Sequence, residues 1–168
     1  MRGKVLCLLP SLSFFYNKHS NIMATMQSAT NKLTVLQWTE KLCRALEQQY
    51  RDYSLRSIVR NQNMSETPDP YLQERVTQIE SGEDDRISFF IETGRKYLKV
   101  CMRSKQVNTQ FDDSISVHAF VDKNTGEVYK PAGWKKPAKY VRFDMRDETQ
   151  RARMYNICDW AGGYLYMR

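Results

Sequence analysis

Apolar residues recur at steps of three and four from Val35 through Trp38, Leu42, Leu46, Tyr50 and Tyr53, with Glu40, Arg44, Glu47, Gln48 and Arg51 between them. That period predicts an amphipathic helix of about five turns, one stripe buried and the charged residues in water. Thr34 followed by Gln37 supplies a capping box at its start. After the loop "NQNMSETPDPY", Asp69-Pro70 reads as the N-cap and first residue of a second helix. Its Leu72, Val76 and Ile79 face one way, Gly82 closes it, and Glu83-Asp84-Asp85 follows as a solvated turn.

The period then changes to two. "RISFFIET" (86–93), "KYLKVCMR" (96–103), "ISVHAFVD" (115–122) and "EVYK" (127–130) are rich in β-branched and aromatic residues, and glycines 94 and 126 mark the turns. Strict alternation assigns Ile87, Phe89, Ile91, Leu98, Val100, Met102, Ile115, Val117, Ala119 and Val121 to a core face beneath the two helices. The opposite face then holds Ser88, Phe90, Glu92, Tyr97, Lys99, Cys101, Arg103, Ser116, His118, Phe120 and Asp122. Pro131 and Pro137 argue against a central strand and for an extended path over a surface. Asp147 with Gln150 predicts a last helix to about Cys158 that turns Met154, Tyr155 and Cys158 inward, is ended by Gly162-Gly163, and is followed by "YLYMR" as an edge strand. The expected fold class is therefore α+β: an antiparallel sheet of three to five strands, N-terminal helices on one face, and a C-terminal helix.

Residues 33–168 are expected to form this single domain, and residues 1–32 an extension and linker. The Ser, Thr, Gln and Asn of Ala24 to Lys32 have linker composition, and Met23 or Met26 is a candidate alternative start. The basic start and the apolar run from Val5, broken at Pro10, have the rough plan of a secretory signal without its small-x-small cleavage site. No segment approaches the run of apolar residues that a membrane span requires.

Charge and chemistry narrow the function classes. The net charge of +7 and pI near 9.3 favour polyanionic partners without demanding them. Cys7, Cys43, Cys101 and Cys158 lie far apart with no histidine cluster, which argues against structural zinc and for reduced thiols. Cys101 and His118, on one predicted face, have the residue types of a nucleophile pair but no motif around them, and Glu92, Asp122 and Glu127 lack the spacing of a metal site. With no P-loop, no G-x-G-x-x-G and no G-x-S-x-G, the expectation is a non-enzyme without catalytic residues, metal or cofactor. An enzyme that processes nucleic acid ranks third among the readings.

What remains is a binding segment. From Lys130 to Arg153 there are eight bases against three acids, interleaved with Trp134, Tyr140 and Phe143. Rings spaced among bases suit unpaired nucleobases and phosphates, and Lys99 and Arg103 on the second strand extend the pattern. The candidate contacts are Lys99, Arg103, Lys130, Trp134, Lys135, Lys136, Lys139, Tyr140 and Arg142. Two bland alternatives stay open: the rings anchor the segment while the bases are solvated, or the proline-rich segment and last helix bury Phe90, Tyr97 and Phe120 as a second small core.

"GRKYLKV" (94–100), "SVHAFVDKNTGEVYKPAGWKKPAK" (116–139) and "DWAGGYLY" (159–166) together resemble a group of small tailed-bacteriophage proteins, including those of marine cyanophages. The resemblance covers about residues 94–166; it implies a phage origin and a place in the host cytoplasm or the virion, and it lends no mechanism. The leading expectation is a small non-enzymatic phage protein that binds nucleic acid, single-stranded by preference. The alternative is a protein–protein interaction module, either a virion component or a factor that docks on a host enzyme, with Trp134 and Tyr140 as anchors.

Overall fold

The computed structural model describes residues 12–63, 69–84, 86–105 and 112–166, with residues 12–33 and 63 described as backbone alone. The signal-like residues 1–11 lie outside the described residues. The first helix, α1 (Leu12–Asn63), is far longer than the five turns expected. It contains no Pro or Gly, and Gln, Asn, Ser and Thr are only mildly unfavourable in a helix, so the stretch read as a linker lies within it. At the other end Ser54 and Ile58 continue the buried stripe while Tyr53 is 45% exposed.

The second helix, α2 (Pro70–Ser81), has the predicted ends: the Asp69 side chain accepts from Tyr71 N–H, and Gly82 takes φ 81°. There the N–H groups of Gly82 and Glu83 return to the carbonyls of Ile79 and Gln78, a Schellman closure that a Cβ would strain. α2 packs on α1. The acidic turn after it is not solvated throughout: Asp84 is buried between Arg75 and Arg86, 3.6 and 3.9 Å away.

Five strands follow, β1 (Ile87–Thr93), β2 (Tyr97–Ser104), β3 (Ser114–Asp122), β4 (Glu127–Gly133) and β5 (Lys136–Asp144), in one antiparallel sheet of order β1-β2-β3-β4-β5. The last helix, α3 (Glu148–Ile157), starts at Asp147 as predicted and buries Met154, with Cys158 beneath its end. Gly163–Tyr166 forms a 3-10 helix where an edge strand was expected, because Asp159 caps its first N–H groups at 3.0 and 2.9 Å. α1, α3 and this turn cover one face of the sheet, where Val35, Leu42 and Leu46 meet Phe89, Leu98, Val100, Ala119, Val121, Val128, Phe143, Met145, Met154 and Leu165. Each such fully buried Val, Leu, Phe or Met side chain contributes roughly 1.5–3 kcal/mol. Glu47, expected in water, instead accepts the N–H of Phe89 at 2.9 Å and so occupies a donor of edge strand β1.

Two departures from regular pairing shape the rest. Between β2 and β3, Val100 opposes Ala119 but Cys101 opposes Val117, so His118 is the extra residue of a bulge. His118 therefore lies on the core side, edge-on to Phe89 (5.1 Å) and stacked with Tyr164 (5.7 Å), while Val117 and Ile115 turn away with Cys101 and Arg103. The alternation had placed all three the other way round. Between β3 and β4 only Phe120–Tyr129 and Val121–Val128 are paired, after which the strands part.

The proline-bearing segment, expected to run extended over a surface, is instead the β4–β5 hairpin. Pro131 opposes Pro137 between register shifts, beyond the point where β4 leaves β3, so the missing N–H groups cost no regular ladder bond.

Candidate functional site

The face opposite the core carries a chain of edge-on rings, Tyr97 to Phe120 at 5.9 Å and Tyr97 to Tyr129 at 6.1 Å, which spans β2, β3 and β4. Phe120 and Cys101 at its centre are buried. The tip of the β4–β5 hairpin provides part of that cover. Strands β2 and β4 stand about 10 Å apart in a flat sheet, yet Lys99 on β2 puts its Nζ 4.6 Å from the centroid of Trp134 at the tip. The bulges in the hairpin supply the necessary bend. Of the three rings in the second-core alternative only Phe120 is buried, and α3 does not cover it: α3 lies against β5 and α1, where Tyr155 donates to the carbonyl of Trp38 at 3.0 Å.

Between tip and β1–β2 turn lies a cavity of about 280 Å³ lined by Tyr97, Phe120, Glu92, Arg95, Lys96, Lys99 and Lys135 among others. Lys99 donates to Glu92 at 2.6 Å, and Lys96 lies 3.4 Å from buried Asp122. Hydrogen bonding to Tyr97, and then to Asp122, holds the Lys96 ammonium above its ordinary pKa. Burial, together with the bond from its hydroxyl to Glu127 at 2.7 Å, keeps Tyr129 a neutral phenol.

The nine predicted contacts do not all come together. Lys99 and Trp134 touch, Lys135 joins them at the cavity, and Arg103 lies farther along β2 with its guanidinium 5.3 Å from Phe90. Lys136, Lys139 and Tyr140 are exposed on β5, with Lys139 Nζ 5.4 Å from the Tyr140 ring, and Arg142 is half-buried opposite the Val128–Tyr129 irregularity. Lys130 stands apart, 3.5 Å over Tyr166 on the side of the C-terminal turn. Arg95 and Lys96 complete the basic rim and were missed. Their place in the β1–β2 turn beside Tyr97 is legible in the hairpin, but their closeness to Lys135 is not.

The groups available for catalysis are poorly disposed for it. Burial pushes the Cys43 thiol up to about 12 and that of Cys158 to about 11, and it raises Cys101 as well, so none is a ready thiolate. Burial, opposed by Asp159, lowers His118 to about 4, and the bulge puts it on the opposite face from Cys101, which overturns the nucleophile pairing. Among the described residues no three His, Cys, Asp or Glu side chains gather as metal ligands, and no helix is long and apolar enough to cross a membrane.

A family of unknown function (DUF7717) matches residues 18–167, so the chain belongs to that family. No curated protein and no solved structure matches it.

Proposed function

We propose that this member of the DUF7717 family is a non-enzymatic nucleic-acid-binding protein of phage origin that prefers single strands. The carrying observation is one hairpin that presents Trp134 at 46% and Tyr140 at 63% exposure among Lys135, Lys136 and Lys139, with Lys99 and Arg103 on the strand beneath. Exposed rings stack on unpaired bases of any sequence, and the ammonium groups follow the phosphates. Arg142 lies at the base of the same strand, and Arg95 widens the positive rim.

Fluorescence anisotropy of labelled single-stranded and duplex oligonucleotides over a salt series tests this reading. Wild type is expected to bind single strands more tightly, and the Trp134→Ala, Lys135→Ala, Lys136→Ala triple variant to lose stacking and two phosphate contacts. Each lost contact lowers the salt slope by about 0.7. Absence of binding at low salt would overturn the reading.

A second reading, a docking surface for a phage or host protein, draws support from β5 being a sheet edge with Tyr140 and Val141 exposed. Binding of a stoichiometric protein partner that persists at high salt would favour it.

A further inference from the structure

The parting of β3 from β4 leaves a second cavity, of about 290 Å³, on the core side of the sheet. Met102, Pro131 and Leu165 form much of its wall, and its side chains with polar groups are Ser116, His118 and Lys130, with the indole of Trp160 and the phenol of Tyr166. Among the described residues no carboxylate side chain lines it. His118 is 93% buried by its 7% exposure, and its Nε2 lies 3.1 Å from the Tyr164 hydroxyl. Tyr164 is itself buried, and Nε2 is the one partner its hydroxyl has among the described residues, so the hydroxyl proton is satisfied by donating to Nε2. The imidazole then carries its remaining proton on Nδ1. The ring edge that carries it faces Gly162, whose φ of +82° favours glycine and where a Cβ would lie in ordinary contact, 3.5 Å from Cε1 and 3.8 Å from Nδ1, and among the described residues no protein acceptor meets Nδ1.

The polar inventory is thus donor-rich: an imidazole N–H, a serine hydroxyl and an ammonium held over the Tyr166 ring. A complementary ligand offers acceptors on a flat body and a negative charge at the Lys130 end. The volume sits at the small end of ligand pockets, which favours a single ring over a fused one. We propose that this cavity binds a pyrimidine nucleotide of the uracil or thymine type, its carbonyls meeting His118 Nδ1–H and Ser116, and its phosphate meeting Lys130. The site lies on the opposite side of the sheet from the hairpin surface and stands or falls separately from it.

Titration with uridine 5′-monophosphate, uridine and inorganic phosphate, followed through the His118 ring signals in NMR, tests the proposal. The monophosphate is expected to shift those signals saturably. Lys130→Met should weaken the monophosphate about tenfold, the loss of one charge-assisted hydrogen bond, and leave uridine unchanged. Ser116→Ala should weaken both ligands. The Trp134→Ala, Lys135→Ala, Lys136→Ala variant should bind the monophosphate as wild type does, so failure of the hairpin reading would not imitate failure here. No His118 shift at millimolar nucleotide would overturn the proposal, as would an equal shift from inorganic phosphate alone.

Discussion

The two faces of the sheet are made by the same strands and do opposite work. On one, Leu42 and Leu46 of α1 close over Phe89, Val100 and Val121 with almost no exposure. On the other, rings and bases share the surface, and the cover is a bent hairpin whose own Trp134 and Tyr140 stay in solvent. A face buried by helices demands apolar side chains at every second position and little else. A face covered by its own hairpin can keep charged groups, because Lys99 reaches both Glu92 and the Trp134 ring without entering an apolar interior.

That contrast breaks most sharply under truncation. Leu42→Ala, at a fully buried position, is expected to cost about 3 kcal/mol in chemical denaturation. A loss within that of a surface change would show that α1 is not the lid of the core.

Acid should probe the core face at the buried imidazole of His118. The folded pKa of His118, about 4, lies below its ordinary 6.5. The unfolded chain therefore takes up the proton first as pH falls. The stability associated with keeping this ring neutral is complete above pH 6.5, declines between 6.5 and 4, and is level below 4. The decline is about 3 kcal/mol from this residue. A His118→Phe variant whose stability follows the same slope over that window would refute the assignment. At the small end, Trp134→Ala should cost about 1 kcal/mol, since the half-exposed ring gives up its contact with Lys99 and its own partial burial. A larger loss would make the hairpin tip part of the core.

The legible parts of the sequence were those where one physical constraint acts alone. Asp69-Pro70 and Gly82 bounded α2, Asp147 began α3, and the alternation in β1 and β2 sorted Phe89, Leu98 and Val100 onto the buried side. Alternation failed at His118, because a bulge changes face without changing composition. At Lys130 composition misled where alternation held: it looked continuous with the hairpin bases, yet one residue beyond Tyr129 it falls on the core side, over Tyr166. The turn bases Arg95 and Lys96 were missed because their closeness to Lys135 depends on a bend between strands distant in sequence.

The central claim is that the hairpin face, and not the helix-covered face, meets nucleic acid. Amide hydrogen exchange with and without a saturating single-stranded oligonucleotide tests it directly. Added protection is expected in residues 97–103 and 133–142 and none in 35–46 of α1. Protection confined to α1, or none anywhere while the oligonucleotide is bound, would contradict it.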